Sequence, residues 1–457
     1  MDRSDQSLWF AQALLPEGWA RDVRLTVAGG RIAKIETGTP RDSADEAHAI
    51  AIPGLPNLHS HAFQRAMAGL TETRGPSNDS FWTWRELMYR FVATLNPDQV
   101  EAIAAMAFAE MLESGFTRVG EFHYLHKDVG GVPYANPGEM AVRVANAARE
   151  TGIALTLLPV FYAHSGFGGQ APKPSQQRFI HDVDGFARLL DASRKAVANL
   201  DDAIVGVAPH SLRAVTPEQL TAVTKLADGA PVHIHIAEQT KEVEDCVAWS
   251  GKRPVEWLLA NNKVDESWCL VHATHMSAQE TRDLAYSKAV AGLCPITEAN
   301  LGDGVFPAVD FLSGGGRFGV GSDSNVLIDA AEELRLLEYG QRLSRRSRNV
   351  LADDEGQHTG AEIFRAALSG GAQALGRKSS GLNVGQSADI VCLKSDHPAL
   401  SNRNGDALLD SWIFAARNAV DHVWRHGMKV VDNGRHIARD RIARRYCDTL
   451  KTIIGAI

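Results

Sequence analysis

Apolar and polar positions follow two different periods along the chain. Short apolar runs fall at residues 51–58, 117–124, 154–162, 204–211, 232–238, 269–274, 290–295 and 317–325. Runs of this length and composition read as buried strands. Between them lie segments with helical periodicity, at 97–114, 137–151, 176–198, 216–227, 242–261 and 277–286, and a last one at 330–343. Two of these open on capping signals, Thr216-Pro217-Glu218 and Ser277 with Glu280 three residues on. Eight buried strands alternating with helices predict an α/β chain folded as a (β/α)8 barrel of TIM type. A doubly wound sheet is the alternative, but it would usually carry a glycine-rich phosphate loop after its first strand, and none is present. Gly314-Gly315-Gly316 precedes a strand instead of opening a helix, so it reads as a turn.

The two ends of the chain differ from the middle. Residues 22–36 show alternation, a Gly29-Gly30 turn and alternation again, the mark of a hairpin. Residues 388–393 are strand-like, and 421–427 followed by 428–434 form another hairpin pattern. Chain termini often lie close together. The expected organisation is a small β-sandwich domain built from residues 1–50 and 381–457, the latter with a terminal helix, around a barrel of residues 51–380.

The polar residues of the middle region concentrate where strands end. In Val232-His233-Ile234-His235-Ile236-Ala237-Glu238 the two histidines share parity and so one face of a strand. Two imidazoles buried together need coordination or hydrogen bonds. Leu58-His59-Ser60-His61 repeats the pattern at the end of the first apolar run. Reading the other strand ends adds Glu121, His123 and Tyr124, then His210 with Arg213 just beyond, Glu238, His272 and Asp323. Barrels of this kind place their active site at that end. Several imidazoles and a carboxylate converging there suit a zinc-like ion with a position left for water. Such an ion activates water, and a carboxylate not spent on it moves protons. The chemistry suits trigonal carbon bearing nitrogen. No G-x-S-x-G motif supports serine hydrolysis.

Composition narrows the class. At 44% hydrophobic and 22% charged, the 457-residue chain is ordinary for a globular enzyme. A net charge of −8 and the lack of a long basic cluster argue against a nucleic-acid partner, and Arg345, Arg346 and Arg348 read as a solvated helix end. No apolar stretch is long enough to span a bilayer, and the first residues lack the order of a signal peptide. Five dispersed cysteines, Cys246, Cys269, Cys294, Cys392 and Cys447, suit reduced thiols in the cytoplasm, with Cys269 and Cys294 as core residues.

These motifs together resemble the amidohydrolase superfamily. Pro53-Gly54-Leu55-Pro56-Asn57-Leu58-His59-Ser60-His61 is similar to its first-strand signature. His235 with Glu238, His272, and Gly321-Ser322-Asp323 are similar to those of its fifth, sixth and eighth strands. Gly385-Gln386-Ser387-Ala388-Asp389 resembles the return to the β domain. The fourth strand carries no lysine to bridge two metals, so the resemblance is to the mononuclear deaminase branch. It implies one divalent metal, most simply Zn2+, on His59, His61, His235 and Asp323, although histidine and carboxylate ligands also suit iron or manganese. It implies Glu238 as proton shuttle, His272 orienting the water and polarising the substrate, Asp323 also sharing in proton removal, and often a homodimer. His233 is then structural.

Within that branch, five stretches most resemble the formimidoylglutamate deiminases. They are His61-Ala62-Phe63-Gln64-Arg65, Phe81-Trp82-Thr83-Trp84-Arg85, Gly120-Glu121-Phe122-His123-Tyr124, Pro209-His210-Ser211-Leu212-Arg213 and the segment from Cys294 to Gly304. The resemblance implies hydrolysis of N-formimino-L-glutamate to N-formyl-L-glutamate and ammonia, in histidine degradation. A substrate with two carboxylates calls for guanidinium partners. Arg85, after a Trp-rich loop, and Arg213 are the candidates, with Gln64, Tyr124 and His210 as further polar contacts. Two other readings stand beside this one: deamination of a ring substrate of purine, pterin, triazine or S-adenosylhomocysteine type, and a non-catalytic scaffold barrel, which would normally have lost its metal ligands.

Overall fold

The structure is a computed structural model that describes residues 6–75 and 79–455. The first five residues of the N-terminal segment and the last two of the C-terminal one therefore lie outside the described residues. Eight strand positions line up in chain order: β1 (Leu55–Ser60), β2 (Phe116–His123), β3 (Ala154–Phe161), β4 (Ile204–Val205 with Ala208–Pro209), β5 (Val232–Ile236), β6 (Trp268–His272), β7 (Val290–Leu293) and β8 (Arg317–Val320). All their pairings are parallel, in two arcs, β1 to β4 and β5 to β8. Isolated bridges join the arcs: Val207 to Val232 and Ser211 to His235 on one side, Ser60 to Asp323 on the other.

The second seam is reinforced by side chains. Asn57 Nδ2 donates to Ser322 Oγ at 2.6 Å, Ser322 Oγ donates to Asn325 Oδ1 at 2.6 Å, and Asn325 Nδ2 donates to Ser60 Oγ at 3.1 Å. All four residues are buried, so this chain of polar groups satisfies itself. Deeper in, Leu58 fills the barrel against two glycines. A Cβ on Gly292 or Gly319 would lie 2.9 or 2.5 Å from its methyl groups. Cys269 and Cys294 are buried in the same core, with Val271, Val290 and Leu375.

Several elements differ from expectation for local reasons. The run 204–211 is not one strand, because at Gly206 the backbone passes so close to Pro231 that a Cβ would sit 2.5 Å from its carbonyl oxygen. The expected helix 242–261 is two, Thr240–Ser250 and Pro254–Asn261. Gly251 caps the first at φ +74°, and Pro254 begins the second. The Trp-rich stretch, expected as loop, forms the helix Phe81–Val92. An unexpected helix, Thr359–Ala374, packs against β8 so tightly that a Cβ on Gly370 would lie 1.9 Å from the Phe318 carbonyl oxygen.

The chain ends build one eight-stranded sheet. Its order runs from Arg435–His436 through Met428–Asp432, Val420–Arg425, Ile390–Leu393, Glu46–Pro53, Gln6–Leu15 and Gly18–Ala28 to Arg31–Glu36. The two halves meet where Ile390–Leu393 pairs antiparallel with Glu46–Pro53. One hydrophobic core of this sheet includes Phe10, Leu25, Ile390 and Trp424. Ala388 N–H reaches the Gly30 carbonyl at 3.0 Å, and Ile32 N–H reaches that of Gln386 at 2.9 Å. Among the described residues no helix is long and apolar enough to cross a membrane, and the five cysteines are unpaired.

Candidate active site

His59 projects inward from the end of β1. The chain then turns into a short helix, Ala62–Met67, and His61 comes back to the same level, its N–H bonded to the Asp323 carbonyl at 2.9 Å. His235 arrives from β5 and Asp323 from the turn after β8. His61 Nδ1 donates to the Phe122 carbonyl at 2.8 Å and His235 Nδ1 to that of His210 at 3.1 Å. Each bond fixes the tautomer that turns the Nε2 lone pair inward. His59 Nε2 lies 3.2 Å from His61 Nε2 and 3.0 Å from His235 Nε2. Asp323 Oδ1 lies 3.4 Å from the first and 3.2 Å from the second.

Four acceptor atoms held this close repel one another unless a cation lies between them. Ligands on a tetrahedral ion at about 2.0–2.1 Å stand roughly 3.3 Å apart, so the group fits a divalent metal. All four residues are buried. Burial pushes the His59 imidazole down to about 3 and that of His235 well below its usual range. Both stay neutral, the state that can ligate. Asp323 and His272 sit in left-handed backbone, at φ +44° and +67°, sparsely populated for side chains other than glycine and recurrent at functional turns.

Next to the cage stand a carboxyl and an imidazole. Glu238 Oε1 is 4.0 Å from His272 Nε2, which is 3.8 Å from Asp323 Oδ2. Burial raises Glu238 to about 7, against the pull of His272 and Arg213. Burial alone would lower His272, but Glu238, Glu298 and Asp323 raise it to about 10. Both groups are held by residues the sequence reading did not single out. Glu298 Oε1 accepts from His272 Nδ1 at 3.1 Å. Glu242 accepts from the backbone N–H groups of Ala237 and Glu238 at 3.3 and 3.2 Å.

The cage opens on a cavity at the mouth of the barrel. Gln64, Arg85, Tyr124, His210 and Arg213 all line it, as do His61, His235, Glu238, His272 and Asp323. Of the expected site residues only His59 lies off the wall. Gln64 Nε2 donates to the Tyr124 hydroxyl at 2.8 Å, leaving Gln64 Oε1 buried without a partner among the described residues. The Arg85 guanidinium lies 4.5 Å from the Trp82 ring and that of Arg213 lies 5.6 Å from it. Both arginines keep a buried Nε–H with no partner among the described residues. Burial and Arg213 keep His210 neutral.

The remaining strand-end candidates stand apart. Glu121 accepts from Ala62 N–H at 2.7 Å, and burial raises it to about 8. His123 packs beside His126. His233 donates from Nε2 to the Ala374 carbonyl at 2.7 Å. Sequence reading also missed Tyr89 and Tyr162 on the cavity wall, bridged by Gln176, whose Nε2 donates to their hydroxyls at 3.3 and 2.8 Å.

Comparison with known proteins adds to this geometry. The model of the amidohydrolase family matches residues 50–430, and that of the formimidoylglutamate deiminase HutF N-terminal domain matches residues 7–49. A formimidoylglutamate deiminase of Pseudomonas aeruginosa is 51% identical over 451 residues, 98% of this chain and 99% of that protein. A 5-methylthioadenosine/S-adenosylhomocysteine deaminase of Natronomonas pharaonis is 28% identical, covering 92% of this chain and 91% of its own. The crystal structure of an amidohydrolase from Brucella melitensis matches with a TM-score of 0.96 at 56% identity, over 98% of this chain and 100% of that one.

Proposed function

The chain belongs to the amidohydrolase family, and from that premise we propose that it hydrolyses N-formimino-L-glutamate to N-formyl-L-glutamate and ammonia, a reaction of histidine degradation. The observation that carries this reading is the pair Arg85 and Arg213. They share a cavity with Glu238 and His272, and each has a buried guanidinium N–H left over for a ligand. A dicarboxylate satisfies both, and bidentate guanidinium–carboxylate pairs are strong and directional. The 51% identity to a formimidoylglutamate deiminase along nearly the whole chain supports the same substrate.

His59, His61, His235 and Asp323 would hold the metal, for which we read Zn2+ from the nitrogen-rich donor set. When bound, such an ion supplies Lewis-acid activation of water. Glu238 takes one proton of the attacking water and delivers it to the nitrogen of the cationic formimino group, and Asp323 takes the second from the hydroxyl of the adduct, so that nitrogen leaves as ammonia while the carbon keeps the oxygen as a formyl carbonyl. The raised value of Glu238 near 7 suits a group that must both accept and give a proton. His272, locked by Glu298, donates from Nε2 to the oxygen on the reacting carbon. Arg85 and Arg213 anchor the glutamate carboxylates, steadied by the Trp82 ring against both. Gln64 Oε1 accepts from a substrate N–H, and Tyr124 and His210 complete the wall.

We also read the protein as a cytoplasmic homodimer, a location that the four buried unpaired thiols suit. Light scattering checks the mass. The deciding assay is ammonia release by zinc-loaded protein from N-formimino-L-glutamate, with S-adenosylhomocysteine, guanine and cytosine in parallel. Release from formiminoglutamate alone is expected. Release from a ring substrate instead would overturn the roles of both arginines.

A further inference from the structure

A second concentration of charge lies at the opposite end of the barrel, where β1 and β2 begin. Four guanidiniums surround Asp202. Arg377 Nη1 and Arg31 Nη2 lie 3.3 and 3.5 Å from its Oδ1, and Arg118 Nη2 and Arg425 Nη2 lie 3.7 and 4.0 Å from its Oδ2. Arg425 Nη1 also meets Asp389 Oδ1 at 3.4 Å. Even with the neighbouring Asp201 counted, the arginines outnumber the carboxylates. Arg118 and Arg425 are only 4% and 2% exposed.

A guanidinium carries five N–H donors, and a buried one needs partners for them. Among the described residues Arg118 makes one hydrogen bond, Nη1 to the Asp202 carbonyl at 3.0 Å. Its closest carboxylate oxygen, at 3.7 Å, is beyond hydrogen-bond reach. Burial and the adjacent charges of Arg425 and Arg377 push Arg118 down to about 9, consistent with surplus positive charge.

Arg118 and Arg377 line a pocket open to solvent, together with Thr117, Ser379, Ser380 and Gln386. Asp389 lines it too, but its Oδ1 already accepts from Ser387 Oγ at 2.6 Å and His426 N–H at 2.9 Å. The sparsely paired Arg118 and the Arg377 guanidinium, whose Nη1 donates to Asp202 Oδ1, together with hydroxyl and amide donors around one pocket, form a receptor for an oxyanion. We propose that this cavity binds a small phosphate-type oxyanion, either free phosphate or the phosphate group of a small ester, at the end of the barrel remote from the cage. The anion supplies the counter-charge that Asp202 and Asp389 leave short.

The test is thermal unfolding of the metal-loaded protein in inorganic phosphate against chloride of equal ionic strength. A rise of about 3 °C is expected at a hundredfold excess over Kd. Because Arg85 and Arg213 also attract anions, the control is Arg213→Met, which keeps the shift if phosphate binds at the base. Arg377→Gln abolishes it while formiminoglutamate turnover stays at the wild-type level. The double variant Ser379→Ala/Ser380→Ala, which leaves every charge in place, weakens phosphate binding about tenfold by calorimetry. Glycerol 3-phosphate binding more tightly than phosphate identifies an ester as the ligand, and weaker binding identifies the free ion. No shift beyond chloride, a shift kept in Arg377→Gln, or a shift lost in Arg213→Met each overturns the proposal.

Discussion

The chain contains the same three-residue pattern twice, and the two copies do different work. His59 and His61 both reach the cage, with their Nε2 atoms 3.2 Å apart. Of His233 and His235 only the second does, and the first bonds to the carbonyl of Ala374 at the end of a helix. The spacing is identical, so spacing is not the cause. β1 stops at Ser60 and the chain turns, which folds His61 back to the level of His59. β5 runs straight through Val232–Ile236, so its two histidines share a face but sit about 6.6 Å apart along the axis. A strand's alternation settles which face a residue takes. Where the strand ends settles its depth.

Four substitutions test this contrast, from the largest effect to the smallest. His235→Ala should lose the bound metal by elemental analysis and lower turnover about 10³-fold or more. Equal metal content in that variant and the wild type would break the comparison at once. Glu238→Gln should keep the metal yet lower kcat by about 10²–10⁴-fold, separating the proton shuttle from the cage; turnover near wild type would remove Glu238 from its role. Arg213→Met should leave metal content unchanged and lower kcat/KM for formiminoglutamate by about 10²-fold, an unchanged ratio speaking against a carboxylate contact. His233→Ala should keep both metal and turnover. It should cost only about 1–3 kcal/mol in urea unfolding, because the Ala374 carbonyl is left without its donor. If its metal content fell like that of His235→Ala, the two histidines would not be doing different work.

What the sequence disclosed follows the same line. Residues carried by the strand ends themselves, such as His59, His235, His272 and Asp323, were legible because the barrel delivers them to one mouth whatever the loops do. Arg85 was legible as a candidate but not its support. Its stretch forms a helix beginning at Phe81, in which Trp82 lies against two guanidiniums. Tyr89, Tyr162 and Gln176 were invisible, since ordinary residue types from a helix, a strand end and a short 3-10 helix meet only through the path of the chain. Glu298 lay inside a family-like stretch, yet nothing local marks it as the partner of His272. The helix Thr359–Ala374 was missed because Gly370 and Gly371 argue against a helix, although close approach to β8 is what requires glycine there.

The polar zipper of Asn57, Ser322, Asn325 and Ser60 has a consequence for the order of assembly. It ties together positions 265 residues apart, at the same seam where Asp323 meets His59 and His61. Contacts of such long sequence separation close late and slowly, because the intervening chain must be ordered first. Metal uptake by a refolding chain would therefore report the moment when the first strand finds the last.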